Sequence, residues 1–154
     1  MDCVFCAIVE DRLPAHRVYE DEHFIVLLDI FPLRPAHLLI VSREHAPLLK
    51  DLSAAARDRL LLLAGRIAAA LRASDYAAPG LNFVINDGPS ANQHVPHLHL
   101  HLIPRRSGDL PRLLWRALTR FLPLGRKRLE QGFEQQAQRL RDALAAMGDG
   151  AEHV

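Results

Sequence analysis

The sequence predicts an antiparallel α+β domain of about five short strands, with one long helix between the third and fourth and a helical C-terminal extension. Three observations carry that expectation. Short runs rich in Val, Ile and Leu end at polar turns, one long stretch changes to three- and four-residue apolar spacing, and a row of alternating leucines and histidines follows it. With 154 residues, 49% of them hydrophobic, the chain holds enough apolar material for one compact core.

The elements follow in order. In "HRVYEDEHFIVLLDI", Arg17–Tyr19 and Phe24–Leu28 read as two strands joined by the polar turn from Glu20 to His23, and Ala36–Ser42 reads as a third. Ser53 is placed to cap a helix over Ala54–Arg72, where Ala56, Leu60, Leu63, Ile67 and Leu71 form one face, widened by "LLLLA". "LNFVIN" after Pro79-Gly80 is the fourth strand, stopped by Asn86-Asp87-Gly88-Pro89. Pro96–Ile103 is the fifth, ended by Pro104. The tail from Glu130 to Met147 is helical, so residues 1–110 form the folded unit and 111–154 a basic, helical extension packed on it.

The formal net charge is +1, which gives no global pull toward nucleic acid or a membrane. Locally, Arg105, Arg106, Arg112, Arg116, Arg120, Arg126, Lys127 and Arg128 face only Asp109 across 105–128. That cluster is either a solvated face or a surface that meets phosphates. No apolar run reaches bilayer length and no signal-type segment opens the chain, so a cytoplasmic protein with neither membrane nor nucleic acid as partner is expected.

Chemistry concentrates in "NQHVPHLHLHLIPRR". His94, His97, His99 and His101 stand within eight positions. In a strand, His97, His99 and His101 share one face at steps of roughly 6.6 Å while Leu98, Leu100 and Leu102 line the other. A row of imidazoles is wasteful in a core, because each buried ring needs hydrogen-bond partners. Two uses stand open: three ligands on a catalytic zinc, or one imidazole acting as a nucleophile on phosphorus. The spacing disfavours a single zinc unless the strand curves strongly. The only cysteines, Cys3 and Cys6 in "CVFC", point to metal rather than a disulfide in a reducing compartment.

"HLHLHLI" fits His-φ-His-φ-His-φ-φ, with φ apolar, and resembles the motif that defines the histidine triad (HIT) family of nucleotide hydrolases and transferases. The stretch from "CVFCAIVEDRLPAHRVYEDEHF" to "IVLLDIFPLRPAHLLIVSREH", together with "LNFVINDG" and "HLIPR", is similar to bacterial members, so the resemblance covers residues 1 to about 110. It implies an antiparallel HIT-like sheet and a covalent mechanism. His99 would attack the α-phosphate of a purine nucleotide, His101 would contact that phosphate, and the backbone near His97 would orient His99.

The same resemblance implies the remaining site residues. Asp29 would bind the ribose hydroxyls, Ile30 and Phe24 would flank the base, His37 would lie near the nucleotide, and Asn86 and Gln93 would hydrogen-bond phosphate oxygens. Cys3, Cys6, His45 and His97 would hold a structural zinc that no chemical step requires. A homodimer is implied as well. Two departures stand out: "SREH" replaces the family's Pro-Lys approach to His45, and Asn92-Gln93-His94 replaces Gly-Gln-Ser or Gly-Gln-Thr. His94 would then offer a proton to the leaving group. Trp115, Leu118 and Phe121 either approach the site with the arginines around them or pack on the core. The expected activity is hydrolysis of dinucleoside polyphosphates or nucleoside phosphoramidates; the alternatives are a zinc hydrolase built on His97, His99 and His101, or a purine-nucleotide-binding protein without turnover.

Overall fold

The computed structural model describes residues 3–76, 78–119, 121–122 and 126–148, with backbone alone for 126–131. Helix α1 (Val4–Val9) precedes strands β1 (Arg17–Glu20), β2 (Phe24–Leu28) and β3 (Leu38–Ser42). Helix α2 (Ala54–Ala73), β4 (Gly80–Ile85), β5 (His99–Arg105), α3 (Leu110–Thr119) and α4 (Arg126–Met147) follow. The strands form one antiparallel sheet in the order β1-β2-β3-β5-β4, the α+β architecture expected from the pattern of elements. None of the described helices is long and apolar enough to cross a membrane.

Both faces of the central strands are covered, which is why "FIVLL" and "LLIVS" read as continuous apolar runs and are buried at every position. On one face Phe24, Val26, Leu28, Leu38, Ile40, Leu100 and Leu102 meet the α2 stripe of Ala56, Leu60, Leu63, Ile67 and Leu71. Phe133, Ala137, Leu140 and Leu144 bring α4 into that layer. Each large side chain removed from water there contributes about 1.5–3 kcal/mol. On the other face a smaller cluster of Ile25, Leu27, Leu39 and Val41 is capped by Phe5 and Ile8 of α1. Ser53 caps α2 as expected, its Oγ accepting from the Ala56 N–H at 3.2 Å.

Three sequence expectations need correction. Pro104 lies inside β5 rather than ending it: the pairing with β3 stops at Leu38 opposite Leu102, so beyond that point one flank of β5 needs no backbone donor. The strand starts at His99, because the His97 N–H bonds back to the Val95 carbonyl at 2.8 Å and the tight turn breaks the pleat. His97 therefore lies just ahead of the strand, yet its ring stays on the α1 side with that of His99, both against Phe5, while Leu98, Leu100 and Leu102 pack on the α2 side. Of the two placements open for Trp115, Leu118 and Phe121, packing on the core is absent, since they are 67%, 80% and 57% exposed. Of the basic cluster, Arg120 lies outside the described residues, as do the side chains of Arg126, Lys127 and Arg128.

Candidate functional site

The register places His99 opposite Val41 and His101 opposite Leu39, so both rings emerge on the face covered by α1. Phe5 lies against His99 and His97, its ring centroid 5.0 Å from that of the first and 5.7 Å from that of the second. His99 Nδ1 stands 2.7 Å from the His97 carbonyl oxygen, which can only accept. The proton is therefore on Nδ1, and Nε2 keeps its lone pair. Burial pushes the His99 pKa below its ordinary value, against the opposing pull of that hydrogen bond and of Asp29. The ring is thus held neutral, the form that acts as a nucleophile.

A second chain of hydrogen bonds sets the neighbouring ring. The Leu33 N–H donates to His37 Nδ1 at 3.2 Å, so His37 carries its hydrogen on Nε2 and donates it to His101 Nδ1 at 3.0 Å. His101 in turn carries its hydrogen on Nε2, as a donor. His37 is fully buried, and Asp29, with Oδ2 3.4 Å from His37 Nδ1, is 7% exposed. The other carboxylate oxygen of Asp29 accepts from the Phe31 N–H at 2.8 Å, fixing the turn after β2. Asp29, His37 and His101 also lie close enough together to form a metal-competent group, but the Leu33-to-His37-to-His101 relay and the Asp29–His37 contact already account for their spacing.

A second group gathers at the other end of the row. Cys3 Sγ is 3.3 Å from His97 Nδ1, and Cys6 Sγ is 3.5 Å from that atom and 3.2 Å from His45 Nδ1. All four ligand atoms fall within 4.8 Å of one another, and the cysteines are not bonded to each other. Tetrahedral zinc, with bonds of about 2.0–2.3 Å, sets its ligands roughly 3.3–3.8 Å apart, so the set fits. His97 Nε2 donates to the Ser42 carbonyl at 2.7 Å, which leaves Nδ1 as the coordinating atom. Burial and the adjacent Cys3 hold the Cys6 thiol above its ordinary value, and a cation bound among these four groups would favour the thiolate instead.

The phosphate-side loop is built differently from the expectation. Asn92, where the family pattern has glycine, adopts the left-handed conformation at φ 61°, ψ 33°, which Asn tolerates better than other side chains. The Gln93 amide is tied into the loop, Oε1 accepting from the Gly88 N–H at 3.0 Å and Nε2 donating to the Pro47 carbonyl at 2.6 Å. It braces the turn beneath His94, while Asn86 is half-buried just past the end of β4. His94 is exposed, with its ring 6.1 Å from that of Phe121, and Phe121 is 5.2 Å from Phe31. Ile30 is exposed beside Asp29. Phe24 does not flank a base: it is fully buried on the α2 face, opposite the face that carries His99. Phe5 supplies the aromatic surface there, a role legible in "CVFC" only once α1 is known to cover the histidines.

Comparison with known proteins is consistent along the chain. A family model described as the HIT domain matches residues 10–108. An uncharacterized HIT-like protein of Mycobacterium tuberculosis is 41% identical over 109 residues, 71% of this chain and 75% of its own length. The crystal structure of a zinc-bound histidine triad family protein from Mycobacterium smegmatis superposes with a TM-score of 0.79 at 40% identity, covering 99% of both chains. An adenylylsulfatase of Arabidopsis thaliana is 33% identical over 112 residues, 70% of this chain and 54% of its own length.

Proposed function

We propose, from the premise that this chain belongs to the histidine triad (HIT) family and carries its nucleotide-binding and hydrolase fold, that it cleaves nucleotides through a covalent nucleotidyl-histidine. The observation that supports this most strongly is the His99 tautomer, locked by the His97 carbonyl so that the Nε2 lone pair is the reactive atom. In this reading Nε2 attacks the α-phosphorus, and the phosphorus–nitrogen bond forms as the bond to the leaving group breaks. His101 donates from Nε2 to a phosphate oxygen as charge builds there. His94 supplies the leaving group's proton. Water then breaks the phosphorus–nitrogen bond, releases a nucleoside monophosphate and returns His99 to its starting form.

Asp29 accepts from the ribose hydroxyls, and Ile30 and Phe5 present apolar surface to the base. Asn86 and the Gly88–His94 loop bound the phosphates, with Gln93 as the brace of that loop. Cys3, Cys6, His45 and His97 hold a structural zinc, which ties the N-terminal helix to the start of β5 and takes no part in the reaction. A homodimer accompanies this reading, with Leu61, Leu62 and Phe83, all exposed, as contact residues; sedimentation velocity at micromolar protein tests it.

The substrates are dinucleoside polyphosphates or nucleoside phosphoramidates, and the relative named as an adenylylsulfatase adds adenylyl sulfate to the set worth assaying. The test is release of adenosine monophosphate from diadenosine tetraphosphate, adenosine phosphoramidate and adenylyl sulfate. Turnover of at least one supports the proposal. Tight monophosphate binding with no turnover of any would favour a nucleotide-binding role instead. A catalytic zinc on His97, His99 and His101 draws no support from the geometry, because His97 turns one nitrogen to sulfur and the other to the Ser42 carbonyl.

A further inference from the structure

Behind the loop that joins β2 to β3 lies a cavity of 340 Å³, bounded by that loop, α3 and α4. Its polar wall is Arg34, Arg112, Arg116 and Gln136. Gln136 is already occupied, accepting from the Ala36 N–H at 2.9 Å. Arg34 is only 15% exposed, and its buried Nε has no hydrogen-bond partner among the described residues; the nearest carboxylate oxygen, Asp109 Oδ2, is 3.8 Å away. Asp109 is committed elsewhere, to Arg105 at 2.7 and 3.1 Å and to the Arg106 N–H at 2.9 Å, and these bonds, Arg105 first, bring its carboxyl down to about 2. Arg116 spends one nitrogen on the Pro32 carbonyl at 3.2 Å, and Arg112 stands exposed at the rim. Among the described residues, positive charge is therefore in surplus around a cavity larger than a single small anion needs.

We propose that this cavity is a second anion site, distinct from the histidine row, and that Arg34, Arg112 and Arg116 there bind a chain of linked phosphates. Guanidinium forks match phosphate oxygens pairwise, and a ligand that engages three of them must present several anionic oxygens at once. A single carboxylate satisfies one fork and leaves the other charges without an anion. The site also touches the catalytic region through the backbone. Arg34 belongs to the same loop whose Leu33 N–H sets the His37 tautomer, and Arg116 holds that loop at Pro32. Occupancy at Arg34 thus bears on the ring that orients His101. The phosphates can come from the far end of a polyphosphate substrate or from a separate phosphate chain.

The experiment uses sodium tripolyphosphate and the arginine Nε–H signals of the full-length protein in a ¹⁵N correlation spectrum, with Arg34 assigned by Arg34→Lys. Saturable movement of the Arg34 signal is expected in the wild type and equally in His99→Ala. Affinity is expected to fall by about tenfold or more in Arg112→Gln/Arg116→Gln, whose fold is checked by thermal unfolding. A tripolyphosphate that raises KM for diadenosine tetraphosphate competitively identifies the substrate's own distal phosphates as the occupant, whereas one that changes kcat alone identifies a separate effector. An unmoved Arg34 signal, or equal affinity in the double variant, overturns the proposal. The binding arm needs no catalysis, so it stands or falls independently of the nucleotidyl-histidine reading.

Discussion

His97 and His101 occupy equivalent places in one motif, each two residues from His99, yet the fold puts them to opposite uses. Both nitrogens of His97 face protein groups, one toward Cys3 and Cys6 and the other toward the Ser42 carbonyl, on a fully buried ring. His101 is half-buried and has Nδ1 set by His37, so that its hydrogen sits on Nε2. The cause is backbone rather than side-chain chemistry. All three rings lie on the α1 side, but a tight turn at Val95–His97 sets the first of them ahead of β5, beside the N-terminal cysteines, while the pleat of β5 carries the other two away from that group. A repeated residue type therefore does not imply a repeated role; the partner of each second nitrogen decides it.

The sharpest way to break this division of labour is at its centre. His99→Ala is expected to lower kcat for the best substrate by about 10⁴-fold or more while leaving thermal unfolding near the wild type, measured by steady-state assay and calorimetry. A loss of only a few fold would mean that the reacting nucleophile is elsewhere. Next comes the His97 side. Cys3→Ser/Cys6→Ser is expected to abolish zinc, read as metal per chain, and to cost several kcal/mol of stability, with a smaller loss in kcat at temperatures where the protein stays folded. Metal removal that stops chemistry without lowering the unfolding temperature would instead place zinc at the reaction centre.

The strands, α2 and the clustering of histidines along one strand were legible in the sequence because alternation and helical spacing are local signals. What escaped was non-local. α1 is only six residues long and has its meaning in the histidines it covers; Phe5 carries no mark in the sequence that separates it from core. Phe24 looked equally suited to a base pocket, but the register of β2 turns it to the α2 face. α3 has no residue buried, so no stripe of core residues marks it. Pro104 read as a strand end because the early stop of β3 beside it could not be seen from the chain alone.

Two smaller effects sharpen the comparison. His94→Ala is expected to slow substrates with poor leaving groups by about tenfold or more while sparing those with good ones, a split read from kcat across a leaving-group series. Uniform slowing would indicate a loop defect instead. Asn92→Ala is expected to cost about 1 kcal/mol through its left-handed backbone, whereas Asn92→Gly is expected to be close to neutral; denaturant midpoints distinguish them.

The central claim is that His99 Nε2 forms a bond to phosphorus. Intact-protein mass spectrometry after rapid quenching with diadenosine tetraphosphate or adenosine phosphoramidate tests it directly. The account predicts a transient nucleotidyl adduct on the wild type that is absent from His99→Ala. Full turnover with no adduct at any quench time, in a protein whose activity disappears on chelation, would contradict it.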